Sequence, residues 1–410
     1  MEKMCRILEK VTRMSIYALL FSLPISKAMI EVCSIVAIGT WITRKTLYFF
    51  TKTGERSFVT IPTKLLIPVL LLTFAQFLSV LFSVNILVSF EAFFTKSLEY
   101  ILLYVIVADS LNTKKRLNIA FSVILVSAVI VSIDAMIQAV GGRDILRMLP
   151  LHGTYLRDLR ACFKNPNAFA GWILLVIPVM VGYAHVGKKG VMRIINILAL
   201  STAGFLVFCL FMTQARAALI GLIFQVGLLL YWLALRFKLF HKVGVLLILM
   251  GIICSIFLLS LEFNSENSIW DSFQKDSRAV LWQEALLIIK DYPIFGAGLN
   301  TYAQIAPHYK LFENGGSYPH NSYLHMAAES GCVTLIAFFW LVICLFLYIL
   351  HSKYGHTDRI LLGISVGIAG FLIHSFFDTS LHQIQLAVLF WVFMGLAIAR
   401  VKLGDEITHA

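Results

Sequence analysis

SYPHNSYLHMAAESGCVTLIAFFWLVICLFLYIL, Ser317 to Leu350, decides the fold class. From Cys332 to Leu350 it carries no charged residue. Crossing a ~30 Å hydrocarbon core takes about 20 apolar residues, and this run supplies them. Its opening is less bland, with Pro319, His320 and Asn321 at the edge of an otherwise greasy segment.

Runs of the same kind recur along all 410 residues, which are 59% hydrophobic and 14% charged. Soluble domains run at roughly 45–50% apolar and about 25% charged. The composition therefore excludes a soluble globular protein. It predicts an all-α, polytopic integral membrane protein with about twelve transmembrane helices. Expected spans are 12–26, 28–43, 62–83, 97–110, 117–140, 168–186, 192–212, 216–235, 243–261, 320–350, 359–377 and 382–400. The first two are short and form a hairpin around Pro24-Ile25-Ser26-Lys27, and the tenth is long enough to project from the bilayer. The chain reads as one membrane domain, 1–410, without repeats and without a cleavable leader. Seven cysteines are scattered without metal-binding spacing.

The net charge of +12 reports orientation rather than nucleic acid. With the N-terminus inside, every inner connection is basic, including Arg44-Lys45, Lys114-Lys115-Arg116, Lys188-Lys189 and Arg236. An even number of spans puts both termini in the cytoplasm.

Two outer loops then stand out, 141–167 and 262–319. The larger holds a helical stretch, SRAVLWQEALLIIKDYP, opened by Arg278. The smaller carries Arg143, Arg147, Arg157, Arg160 and Lys164, against the orientation rule. A belt of snorkelling surface charges explains such a cluster. So does a site for a phosphate or diphosphate, which arginine forks bind in pairs. Spans six, eight and ten all begin on this outer face, where helix N-termini favour anions. Each start is marked: Asn167 as a cap after Lys164, Arg216 in TQAR, and His320-Asn321. Asp134, Glu329 and the i,i+4 pair His374/Asp378 are ionisable groups inside spans. On a continuous helix Glu329 points away from His320. No phosphate loop, nucleophile elbow or outer carboxylate pair for Mg²⁺ or Zn²⁺ is present.

FKNPNAFAGW (163–172), TQARAAL (213–219), SRAVLWQEAL (277–286), PIFGAG and PHNSYLHMAAESG together resemble the signature segments of the O-antigen ligase/polymerase family. The resemblance implies a periplasmic, metal-independent glycosyltransferase of the bacterial inner membrane. The implied donor is a glycan on undecaprenyl diphosphate, the acceptor of a ligase is lipid A–core, and no cofactor or nucleotide takes part. Arg216, Arg278 and His320 match the family's functional positions. His320 would serve as base, or as a hydrogen-bond donor, in an inverting transfer. Arg157, Arg160, Lys164, Asn167 and Asn321 would bind substrate. Where ligases often have an acid after His-Asn, this chain has Ser322, and no carboxylate partner is assigned to the histidine. The expectation is an O-antigen ligase. An O-antigen polymerase or protein O-oligosaccharyltransferase would use the same machinery. A transporter or flippase would instead gather its polar residues at the membrane midplane.

Overall fold

A computed structural model of the chain describes residues 2–51, 61–151, 158–184, 190–237, 277–311, 318–353, 355 and 357–407. It is all-helical, with no strand among the described residues. The helices are α1 (Glu2–Ser22), α2 (Lys27–Thr51), α3 (Thr63–Leu81), α4 (Ile86–Ala92), α5 (Glu99–Ser110), α6 (Lys114–Gly141) and α7 (Pro166–Tyr183). They continue as α8 (Val191–Met212), α9 (Arg216–Phe237), α10 (Ser277–Asp291), α11 (Tyr302–Ile305), α12 (Ser322–Leu350), α13 (Arg359–Ser375) and α14 (Ile384–Ile407). Among the described residues, seven of these are long and apolar enough to cross a membrane: α3, α6, α7, α8, α9, α12 and α14. The protein is a multi-pass membrane protein.

The two spans expected first are longer than their apolar runs, and they pair around residues 23–26. Glu9 near the start of α1 pairs with Arg13, with Arg44 of α2 at 4.0 Å and with Arg116 of α6 at 2.7 Å, so the helices continue where hydropathy stops. The fourth span begins before its expected start at 97. Asn85 caps α4 by accepting from the Val88 N–H at 3.3 Å, and a π-helical stretch, Phe93–Leu98, joins α4 to α5. The ninth expected span, 243–261, lies outside the described residues, as does 262–276 of the large loop.

Two helices form the centre. In α7 and α14 the apolar windows are 83% and 89% buried, against 28% in α9. A helix apolar on all faces has to be surrounded by others. α7 packs on α13, and small residues set their separation. A Cβ on Gly363 would stand 2.3 Å from the Pro178 carbonyl oxygen, so only glycine allows this approach.

At one end of the bundle Asp109 of α5 is buried. It accepts from Trp41 Nε1 at 2.7 Å, Arg44 at 2.7 Å and Lys45 at 3.3 Å. Residues at the starts of α7, α12 and α14 and just after α13 line a common cavity at the other end.

Candidate functional site

The tenth span is a broken helix, not the continuous rod its hydropathy predicts. Gly331 adopts φ 80°, ψ 167° inside α12. The backbone groups freed by the break are met by the PIFGAG segment. Cys332 N–H donates to Pro293 O at 3.0 Å, Ala297 N–H to Ala328 O at 2.9 Å, and Gly298 N–H to Glu329 O at 2.8 Å. Ser79 of α3 adds a hydroxyl to the Glu329 carbonyl at 3.0 Å. Irregular backbone within a membrane domain persists where protein groups satisfy it in this way. A Cβ on Gly331 would lie 2.0 Å from Ile294 O, and one on Gly296 2.3 Å from Glu329 O.

The first half of α12 starts on a strong cap. Asn321 accepts from the N–H groups of Tyr323 at 2.9 Å and Leu324 at 3.0 Å. His320 precedes it with φ 46°, a left-handed conformation that costs a non-glycine residue roughly 1–2 kcal/mol. Its Nδ1 lies 3.3 Å from Asp378 Oδ1. The His320 side chain is 44% exposed and that of Asp378 only 4%.

Asp378 sits in the turn after α13, and the turn is tied to α12. Ser322 donates to the Asp378 carbonyl through its N–H at 3.1 Å and its hydroxyl at 2.8 Å. The second carboxylate oxygen accepts from Ser380 Oγ and Gln383 Nε2, both at 3.3 Å, and Ser380 also meets His374 Nδ1 at 3.0 Å. Burial pushes the Asp378 carboxyl up. The His320 hydrogen bond, both neighbouring imidazoles and the Thr379 N–H outweigh that and hold it below the usual carboxylate range. An ionised Asp378 accepts only, so His320 Nδ1 carries the hydrogen of that bond, which in the neutral ring leaves the lone pair on Nε2.

His320 and Asp378 stand on the wall of a cavity of about 700 Å³. Lys27, Lys96, Lys164, Asn165 and Asn300, all near helix ends, supply polar and cationic groups. Lys96, in the π-helical stretch, donates to Asn300 Oδ1 at 2.7 Å. Leu72, Tyr100, Phe338 and Trp391 lie further along their helices and give the cavity an apolar depth. A second polar group lines the same cavity. His325 Nε2 is 3.2 Å from Glu329 Oε1, which also accepts from Tyr302 N–H at 3.0 Å. The His382 ring lies against His325, centroids 3.7 Å apart. Burial, then the charge of His325, holds the His382 imidazole down at about 3.

Residues 201–339 match the family model described as O-antigen ligase. No curated protein sequence matches the chain.

The matched region contains Arg216, Arg278, PIFGAG, His320 and the break at Gly331. Asp378 and the three lysines come from outside it. Arg216 is exposed at the start of α9 and is not on the cavity wall. Arg278 opens α10, whose Trp282 packs on Phe376 and Phe377 at the end of α13, and its charge reaches His374. Lys164 and His320 do line the cavity, while Arg157 lies outside the described residues. Arg160 is buried, its guanidinium donating to Lys164 O at 3.1 Å and Pro150 O at 2.6 Å. Asn167 is not the cap of α7. Pro166 takes the first helical position, and Asn165 before it accepts from Ala168 N–H at 2.7 Å. Asn321 spends its side-chain oxygen as a cap. Asp134 accepts from the N–H groups of Ile145 and Leu146 and so shapes the loop after α6.

Sequence reading missed Asp378 as the partner of His320. The spacing of His374 and Asp378 suggested a pair, but α13 ends at Ser375 and Ser380 stands between them. Ser322, in the place of the expected acid, instead ties down the turn that carries one.

Proposed function

We propose that the protein is an O-antigen ligase that moves a glycan from undecaprenyl diphosphate to a sugar of lipid A–core. The transfer takes place at the periplasmic face of a bacterial inner membrane, with inversion at the anomeric carbon. The observation that carries this reading is His320. Its Nδ1 is held by a buried Asp378 and its ring is exposed at a cavity whose wall carries Lys27, Lys96 and Lys164 beside Glu31 and Glu329, with an apolar depth. The isoprenoid chain suits the apolar depth, and the diphosphate suits the lysines.

In this reading the acceptor hydroxyl attacks C1 of the donor sugar. Its proton passes to His320 Nε2 as the new C–O bond forms. The bond from C1 to the diphosphate oxygen breaks, and that oxygen leaves with the electron pair. Asp378 fixes the tautomer and stabilises the imidazolium, a role that does not require it to take the proton. Lys164, Lys27 and Lys96 oppose the charge gained by the leaving group, a task the family resemblance also gives to Arg278 and Arg216. None of these steps uses a nucleotide or a metal.

The test is incubation of purified protein with lipid-diphosphate glycan and lipid A–core. Core-linked glycan is the expected product. Lengthened lipid-linked chains alone would make the protein a polymerase, and glycan uptake into vesicles without transfer would make it a transporter.

A further inference from the structure

We propose that His325, Glu329 and His382 bind one divalent transition-metal ion, zinc by preference, which clamps the first half of α12 to the turn before α14. Nothing in the proposed transfer chemistry calls for this ion. It would act on position, because one side of the clamp carries His320 and the other Asp378.

The donor set comes first. One ligand atom from each residue falls within 4.8 Å of the others. His325 and Glu329 are i,i+4 on α12, so a single helical face presents both. His382 comes from the short 3₁₀ segment Ser380–His382. Two imidazoles and a carboxylate suit Zn²⁺, and the same trio also suits Fe²⁺. At Zn–N and Zn–O lengths near ~2.0–2.2 Å, tetrahedral ligand atoms stand roughly 3.4 Å apart. The His325–Glu329 separation of 3.2 Å already matches. Closing His382 onto them takes a shift on the order of 1 Å, within reach of a side-chain adjustment.

The second observation is unpaired polarity. His325 and Glu329 are 3% and 5% exposed. Yet His325 Nδ1 and His382 Nε2 are buried without a hydrogen-bond partner, and Glu329 Oε1 at 3.2 Å is the neighbour of His325 Nε2. Burying such atoms unpaired is unfavourable, because the water they would otherwise bind is lost. An ion would satisfy His382 Nε2 and one nitrogen of His325 together.

The outer contacts fit as well. His382 hydrogen-bonds to the backbone of Ser322. Since its Nε2 has no partner, Nδ1 makes that bond and Nε2 presents its lone pair. A ligating histidine is usually held in this manner. Glu329 is fixed by the Tyr302 N–H, and its backbone carbonyl by Gly298 and Ser79. Lys96 is the cation opposing an ion here, and its ammonium is engaged by Asn300. All three ligands line the cavity, so a fourth position is open to water.

The experiment is metal analysis of the purified full-length protein by plasma mass spectrometry. One zinc or iron per chain is expected. After chelator treatment, Co²⁺ should produce visible d–d absorption, and returning Zn²⁺ should raise the melting temperature. Glu329→Gln keeps the oxygen that accepts from Tyr302 and is the variant least disturbing to the fold. Together with His382→Gln it should lower metal affinity at least tenfold, whereas His320→Ala should keep a full complement. Wild type without stoichiometric metal and without a cobalt spectrum would overturn the proposal. So would undiminished metal in both ligand variants. Glycan transfer by metal-free wild type would leave the site intact as a clamp, since metal content and turnover are read separately.

Discussion

His320 concentrates strain, exposure and a buried acid in one residue. Replacing it by alanine should lower transfer roughly 10²–10⁴-fold, the span of a general base, with the melting temperature unchanged within a few degrees. Asp378→Asn should lower turnover with little change in donor KM, because its carboxylate positions the imidazole and does not reach the substrate. Its ionisation also gives a pH signature. The folded-state value lies below the ordinary one of about 3.9, so the carboxylate adds stability above that pH. The contribution is lost as pH falls through the folded value. Wild type should therefore destabilise below about pH 4, and Asp378→Asn should lack that acid limb; thermal melts across pH 3–7 check this. His320 and Lys164 were legible because each stands beside a helix start marked in the sequence. Asp378 was not, because it arrives from the far side of two membrane helices.

At the scale of elements, the break in α12 decides where the site residues stand. Gly331→Ala meets both a positive φ and the Ile294 carbonyl. It should cost at least about 1–2 kcal/mol from the backbone alone and should sharply reduce folded protein on size-exclusion chromatography. Gly296→Ala should behave alike from the opposite strand of contacts. By contrast, Asn165→Ala removes one cap and should cost only about 1 kcal/mol. Hydropathy found nearly every helix, because burial of apolar surface is additive along a run. It missed the break, since the groups that satisfy it lie more than thirty residues upstream on PIFGAG. The glycine in AAESG was the available local sign, and the two segments had to be seen together.

Across the whole molecule, charge is sorted by end. Asp109 is buried among Trp41, Arg44 and Lys45 at the end remote from the cavity. Asp109→Ala would strand two cations and should cost about 3–5 kcal/mol, read as a loss of thermal stability. The positive-inside rule, applied to these basic ends, predicts sided labelling. A cysteine at Lys164 should react with an impermeant maleimide in intact spheroplasts, and one at Lys114 only after lysis. The all-helical membrane fold was legible from composition, whereas the cavity needed side chains from seven separated parts of the chain.

The apolar depth beneath His320 also bears on how the protein must be handled. Phe338, Trp391, Leu72 and Tyr100 form a wall that accepts any flexible alkyl tail of suitable length. A solubilising detergent is such a tail carrying a polar head, and it would compete with the proposed lipid donor for the same room. Donor KM should then climb with detergent concentration at constant kcat and recover in nanodiscs. Rates measured in micelles at subsaturating donor would understate the catalyst by the fraction of molecules occupied by soap.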